Sequence, residues 1–521
     1  MSAGGALRPT RVELRAALAS AVLFAIAFPP FVLVGPVFVA LVPIAIAVAS
    51  DADPNGSSRS GVRLGFWFGV FGYGSTLSWI ATALSTYTKL ALLGWFAAVL
   101  VLAMVNALIV GALHRARRFT RWPMAILLPI TWVAGEVLLE HLGDLAFPWL
   151  PLGLATAPTP LLSQIADLSG VHGASFWIAS MNGLVADMYL ARGNGRSIVR
   201  AAVTALVLSM LVAAYGGWRL RTLPLSPLAT VAIVQPNVPQ SDKWQAENRS
   251  HIVTMLADGT RRAVASHPSL VVWPEASLPD FLFRHKAWLD TLASLASGSS
   301  TPILLGVLDV RFRPPMRPEY FNGAMLVDAD GAVRQPLYHK RKLVPVVERV
   351  PFIEPQLVRR YSEYFGGYAR GREPVILHAP LGAVGPLVCY ESIFPALARD
   401  YRRRGAELLV NMTNDAWFGR TLGPYQHQAH AIMRAIETRT SVIRAANTGI
   451  SGNIDPLGRE HGRTALFVAT TATYVVTATN VVSPFVRFGD FIGWGSLSAI
   501  IALICAGEGR RIVVRRGARK A

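Results

Sequence analysis

Long apolar runs confine this chain more than any other feature. A helix needs about 20 apolar residues to cross the hydrocarbon of a bilayer. Runs of that kind fall at 13–29, 31–49, 64–86, 90–113, 123–140, 171–191 and 199–217, and again at 491–507. The stretch between the last two reads as an ordinary soluble domain. Hydrophobic residues make up 52% of the 521 residues and charged residues 16%, against about 25% charged in a soluble domain. Two kinds of protein are therefore expected in one chain. The first run has Ala25 and Ala27 where a signal peptide would be cleaved. A second apolar run follows almost at once, past Pro29 and Pro30, so a retained anchor is expected.

The formal charge of +19 points to an anionic partner or to membrane topology. Its distribution favours topology. Arg8, Arg11 and Arg15 precede the first run; Arg59 and Arg63 follow the second; Arg115, Arg117, Arg118 and Arg121 follow the fourth; Arg192, Arg196 and Arg200 follow the sixth. Arg510, Arg511, Arg515, Arg516, Arg519 and Lys520 close the chain, and Lys89 is the exception among the alternate loops. Positive loops stay inside, so an inner N-terminus sends residues 218–490 to the outer side after seven crossings. No zinc spacing or aromatic-basic repeat supports nucleic acid. The charge and span pattern suits a monomer. With two cysteines, Cys389 and Cys505, neither a disulfide framework nor a cysteine metal site is expected. Residues 141–170, with Phe147, Pro148 and Trp149, read as an interfacial belt, since Trp favours the headgroup level. The other reading is a lipid-facing wall near an active site.

Residues 218–490 alternate strand-like and helical patterns, the mark of an α/β layered domain. Strands are expected at Thr230–Val238, Leu270–Trp273, Pro302–Val310, Ala324–Val327, Val384–Val388, Glu407–Met412 and Tyr474–Ala478, and helices at 248–265, 285–296 and 425–440. Glu275, Lys340 and Cys389 each sit beside an apolar strand-like run, a place where α/β proteins put chemistry. A thiol near pKa 8.5 is a poor nucleophile until it loses its proton. A carboxylate can take that proton, and an ammonium can stabilise the thiolate and then an acyl oxyanion. The N–H of Tyr390 is a natural second oxyanion donor. Singly, each residue is ordinary: a solvated glutamate, a surface lysine, a core cysteine.

In order and context, the three resemble the triad of the nitrilase superfamily. The whole chain is closer to that superfamily's membrane-bound branch, the apolipoprotein N-acyltransferases. The resemblance rests on Val234-Gln235-Pro236-Asn237 with Trp244, on Trp273-Pro274-Glu275, and on Tyr338-His339-Lys340 with Leu343-Val344-Pro345 and Glu348. Cys389-Tyr390-Glu391, Asn414-Asp415-Ala416-Trp417-Phe418-Gly419, the helix Gln426–Arg439 and Asn447-Thr448-Gly449 complete it.

The resemblance implies a multi-pass α-helical membrane domain of about eight transmembrane helices plus a nitrilase-like α-β-β-α sandwich. Its divisions are 1–217 (membrane), 218–490 (extracytoplasmic, catalytic) and 491–521 (closing helix and basic cytoplasmic tail). It further implies a bacterial inner membrane protein with its catalytic domain on the periplasmic side, and neither cofactor nor metal. Cys389 would take an acyl chain from a phospholipid as a thioester and pass it to the amine of a diacylated apolipoprotein. Glu275 would be the base and Lys340 the oxyanion partner. Glu348, Tyr390 and Glu391 would support them, and Trp244, Asn322, Asn414, Trp417 and Phe418 would meet substrate. Val346 and Val347 stand where the family often has Phe-Gly, and Lys342 rivals Lys340. A membrane-tethered amidohydrolase, with water resolving the thioester, and a non-catalytic membrane scaffold are the alternatives.

Overall fold

The computed structural model describes residues 7–31, 33–51, 59–85, 88–313, 317–360 and 366–518. Residues 32 and 86 of the expected spans, and Arg519 and Lys520 of the basic tail, lie outside the described residues. The chain divides into two units, one of Met1–His141, Pro148–Trp218 and Asp490–Ala521, the other of Leu142–Phe147 and Arg219–Gly489.

The first unit is helical: α1 (Arg11–Ile26), α2 (Val42–Ser50), α3 (Arg59–Thr76), α4 (Trp79–Ser85), α5 (Ala91–Thr120), α6 (Met124–Glu140), α7 (Val171–Leu190), α8 (Gly195–Thr222) and a C-terminal helix, Phe491–Ala518. Among the described residues, three helical segments are long and apolar enough to cross a membrane: Ala91–Thr120, Gly195–Thr222 and Phe491–Gly509. Helix α1 opens with a capping box in which Glu13 N–H donates to Thr10 Oγ1 and Thr10 N–H to Glu13 Oε2. Gly61, Gly65 and Gly69 recur every fourth residue on α3 and let it approach α5. A Cβ at Gly69 would lie 2.5 Å from Ala103 Cα, the close backbone approach that small residues permit between apolar helices.

Two expected helices are broken. Residues 31–49 form a 3₁₀ turn, Gly35–Phe38, followed by α2. Pro43 would block an i→i−4 bond inside one continuous helix, but is tolerated in the first turn of α2. The backbone groups freed at the break are met by buried Asn182 on α7. Its Nδ2 donates to Val37 O at 2.9 Å and its Oδ1 accepts from Leu41 N at 2.8 Å. The run 64–86 is likewise split between α3 and α4. The interfacial belt is corrected too. Trp149 is only 2% exposed, its ring 4.7 Å from that of Trp79, and Leu150, Leu152 and Leu154 are buried. The segment is packed as 3₁₀ and short α turns, so its Trp fills a core.

Among the described residues, the second unit has twelve strands: β1 (Ser226–Gln235), β2 (Leu270–Val272), β3 (Ile303–Arg313), β4 (Arg317–Val327), β5 (Tyr338–His339), β6 (Leu377–Ala379), β7 (Gly382–Val388), β8 (Leu408–Thr413), β9 (Ser441–Ala446), β10 (Gly452–Ile454), β11 (Glu460–His461) and β12 (Thr470–Ala478). They form two six-stranded sheets, in the orders β12-β1-β2-β3-β4-β5 and β11-β10-β9-β8-β7-β6. β1, β2 and β3 run parallel, as do β7, β8 and β9, and the outer pairings are antiparallel. Helices α9 (Arg249–Val264) and α10 (Lys286–Ser299) make the crossovers of the first sheet. Helices α11 (Pro395–Arg403) and α12 (Gly423–Thr438) make those of the second.

The sheets face one another with their helices outside, an α-β-β-α sandwich. Parallel strands covered on both faces read as unbroken apolar runs, as Leu270-Val271-Val272 does. Ile252, Leu256 and Ala263 of α9 pack on Val271, Trp273, Leu305 and Met325 in one apolar cluster. The expected strands and helices correspond to β1–β4, β7, β8, β12 and α9, α10, α12. Strand β1 stops short of Val238 because Pro236 cannot donate to the ladder.

Candidate active site

The site is built where strands end. The chain leaves β2 through Trp273-Pro274 to Glu275, a residue only 5% exposed. A Cβ on neighbouring Gly306 would lie 2.6 Å from Glu275 Cα, so only glycine lets β3 pass this close. Lys340 follows β5, and its amide donates to Asn322 O at 2.8 Å. Cys389 follows β7 at φ 51°, in a left-handed conformation that a residue with a side chain adopts only under constraint. The 3₁₀ turn Cys389–Ile393 begins there.

Glu275, Lys340, Glu348 and Asn322 form one hydrogen-bonded cluster. Lys340 Nζ, 1% exposed, donates to Glu348 Oε1 at 2.8 Å and to Glu275 Oε1 at 3.2 Å. Asn322 Nδ2 donates to Glu275 Oε1 at 2.7 Å and to Glu348 Oε1 at 2.9 Å. The amide of Asn414 donates to Glu275 Oε2 at 3.0 Å. Burial alone would raise the Glu275 pKa, but Lys340, Asn322 and Lys243 overcome it and hold it below the ordinary carboxylate value. Burial likewise opposes the charge on Lys340, yet Glu275 and Glu348 hold its pKa above the ordinary lysine value. The Cys389 thiol is pushed up, first by burial and then by the Glu275 charge, with Lys340 pulling the other way. The thiol is thus held neutral, within reach of the charges of a buried carboxylate and a buried ammonium. The rival Lys342 instead places its Nζ 4.6 Å from the Phe394 ring centroid.

The supporting residues have definite places. Glu391 accepts from Tyr338 OH (2.6 Å) and from the amides of Arg341 (2.6 Å), Lys342 (3.2 Å) and Val388 (2.8 Å), tying the loop of Lys340 to the turn of Cys389. Tyr390 OH donates to Ala146 O at 2.6 Å, and its ring stacks on Phe147 at 6.2 Å. Asn414 Nδ2 donates to Gln240 Oε1 and its Oδ1 accepts from Asn447. Phe418 is 7% exposed, edge-on to His427. Trp417 is half-buried, and half-buried Trp244 packs against a small cluster with Phe281, Leu343 and Tyr368.

Sequence reasoning missed two groups. The first is Lys243, 3% exposed, whose Nζ donates to Glu275 O at 3.0 Å. The second lies under the turn of Cys389. The carbonyl oxygen of Cys389 meets Ser392 Oγ at 3.0 Å, His427 Nε2 at 3.1 Å and Asn411 Nδ2 at 3.3 Å. Behind them Asp415 joins His427 Nδ1 (3.0 Å) and Arg444 Nη2 (2.6 Å), and Arg444 also donates to Asn411. Burial and the Arg444 charge keep His427 below the ordinary histidine value. Asp415 sat inside a recognised motif, whereas a buried arginine on a central strand leaves no periodic signal.

The carbon-nitrogen hydrolase family model matches residues 230–505, which take in strands of both sheets and the Glu275, Lys340 and Cys389 positions. The model of the apolipoprotein N-acyltransferase N-terminal domain matches residues 20–184. An apolipoprotein N-acyltransferase of Geobacter metallireducens is 34% identical over 95% of this chain and 95% of its own. That of Brucella melitensis is 30% identical over 92% and 91%. Among solved structures, an amidase from Nesterenkonia sp. AN1 aligns with 50% of this chain and 95% of its own, at 17% identity and a TM-score of 0.35. This chain belongs to the apolipoprotein N-acyltransferase family.

Proposed function

We propose that this chain N-acylates lipoproteins, carrying a fatty acyl group from a membrane phospholipid to the α-amine of a diacylglyceryl-cysteine through a thioester on Cys389. Glu275 takes the thiol proton and the sulfur attacks the ester carbonyl. The tetrahedral oxyanion is held by the Lys340 ammonium and the Tyr390 N–H. The C–O bond then breaks, Glu275 returns its proton to the departing alkoxide, and a lysophospholipid leaves. In the second half the lipoprotein amine attacks the thioester, Glu275 takes a proton from nitrogen, and as the amide forms and the C–S bond breaks Glu275 gives that proton to the departing sulfur. Glu348 and Asn322 position Lys340 and Glu275.

The observation that carries this reading is the buried cluster in which Lys340 touches both Glu275 and Glu348 while the charges of Glu275 and Lys340 bear on the Cys389 thiol. About eight crossings, a bacterial inner membrane and an outward-facing catalytic unit complete the proposal, supported by the arginine-rich alternate loops. The arrangement suits lipid substrates, since pulling a chain into water costs about 0.8 kcal/mol per CH₂.

Incubating the purified chain with acyl-labelled phospholipid tests the nucleophile: mass spectrometry should find the acyl group on the Cys389 peptide, and Cys389→Ala should abolish it. Adding a diacylated lipopeptide should move the label onto its amine. Label released only as free fatty acid would instead favour an amidohydrolase-like hydrolysis. Labelling of single cysteines placed at Phe352 and Asp330 by an impermeant maleimide in intact spheroplasts tests the orientation.

A further inference from the structure

An ammonium group buried without a counter-ion is among the least favourable arrangements a protein interior can hold. Lys243 is such a group. It closes the short helix Gln240–Lys243 and is 3% exposed. Its one hydrogen bond goes to a main-chain oxygen, that of Glu275, at 3.0 Å. Among the described residues no carboxylate lies within ion-pair distance of it.

The carboxylates bonded to Lys340 show what that unbalanced charge does. Glu275 and Glu348 share the single ammonium of Lys340, which leaves one negative charge in excess. A thiolate or a tetrahedral oxyanion would then have to form in an anionic pocket. Lys243 brings the sum to zero, and its charge interacts with both Glu275 and Cys389.

We propose that Lys243 is a second cation of the site, which positions Glu275 through its main-chain carbonyl and balances the extra carboxylate so that negative charge develops in a neutral pocket. The inference rests on Cys389 being the nucleophile. The loop carrying Lys243 thus sets the charge of the site as well as its walls.

The test uses the full chain in phospholipid vesicles with Cys505→Ala, leaving Cys389 as the one thiol. Alkylation of Cys389 by iodoacetamide is followed against pH, alongside thioester formation from labelled phospholipid. At pH 7, where the Lys243 ammonium is still present, Lys243→Met should slow alkylation of Cys389 about 10-fold and thioester formation about 100-fold. It should not lower the Tm, because an apolar chain replaces an unpaired buried charge. Lys243→Arg should restore the alkylation profile. An unchanged profile and rate would overturn the inference, as would a slower rate with an unchanged profile and a lowered Tm. Failure of the unsubstituted chain to form any Cys389 adduct would remove the nucleophile assignment and this inference together.

Discussion

Nε2 of His427 lies 3.1 Å from the carbonyl oxygen of Cys389, so a buried ring braces the main chain of the proposed nucleophile rather than its sulfur. With Ser392 and Asn411 it helps hold Cys389 in its left-handed conformation. Removing it should let the turn relax and misdirect both the sulfur and the Tyr390 N–H. His427→Ala should lower the rate constant for thioester formation by about 10- to 100-fold with the KM for phospholipid little changed. Single-turnover kinetics against donor concentration separates the two.

The carboxylate of Glu275 owes part of its lowered pKa to Asn322. Its activity as a base is present above that pKa and lost as pH falls through it. The acid limb of thioester formation should therefore lie below the ordinary glutamate value of about 4.3. Asn322→Ala withdraws one lowering influence and should move that limb to higher pH. A pH–rate profile of both proteins checks this; limbs that coincide would deny Asn322 its part.

Burial pushes Lys243 down to about 8, against the opposing pull of Glu275 and Cys389. The ammonium is present below that pH and is lost above it. Thioester formation should accordingly decline as pH rises through about 8. In Lys243→Arg the guanidinium keeps its charge, and the decline should shift to higher pH.

Two residues before Glu275, the indole of Trp273 donates to Thr260 Oγ1 at 2.9 Å, and both side chains are 1% exposed. Thr260→Val would leave a buried N–H without its acceptor, a loss of about 1–3 kcal/mol. Thermal unfolding followed by tryptophan fluorescence should register a lower Tm, while the protein that remains folded keeps its acyl-transfer rate.

Much of the candidate site was legible because Glu275, Lys340 and Cys389 each stand beside an apolar run, and a strand end is a pattern that sequence displays. Lys243 was not, since a lysine beside a tryptophan in a polar stretch reads as surface and only tertiary packing buries it. Asn322, expected to meet substrate, donates to two carboxylates, those of Glu275 and Glu348. Strand β9 was hidden by its own chemistry. It carries the buried Arg444, and the preceding helix turns through Arg439 at φ 52° with no glycine to mark its end. The broken helices escaped because hydropathy sums apolar residues and is blind to where Pro43 permits a hydrogen bond.

The six residues Leu142–Phe147 belong to the second unit although helices of the first flank them in sequence. Asp144 pairs with Arg349 and Arg370, while Ala146 receives the hydroxyl of Tyr390. A fragment cut from residues 219–489 would thus lack a strap that fastens Tyr390, the residue next to Cys389. The chain crosses between the units at four junctions instead of two, so the catalytic half is not a module that a single cut at each end can free or graft elsewhere.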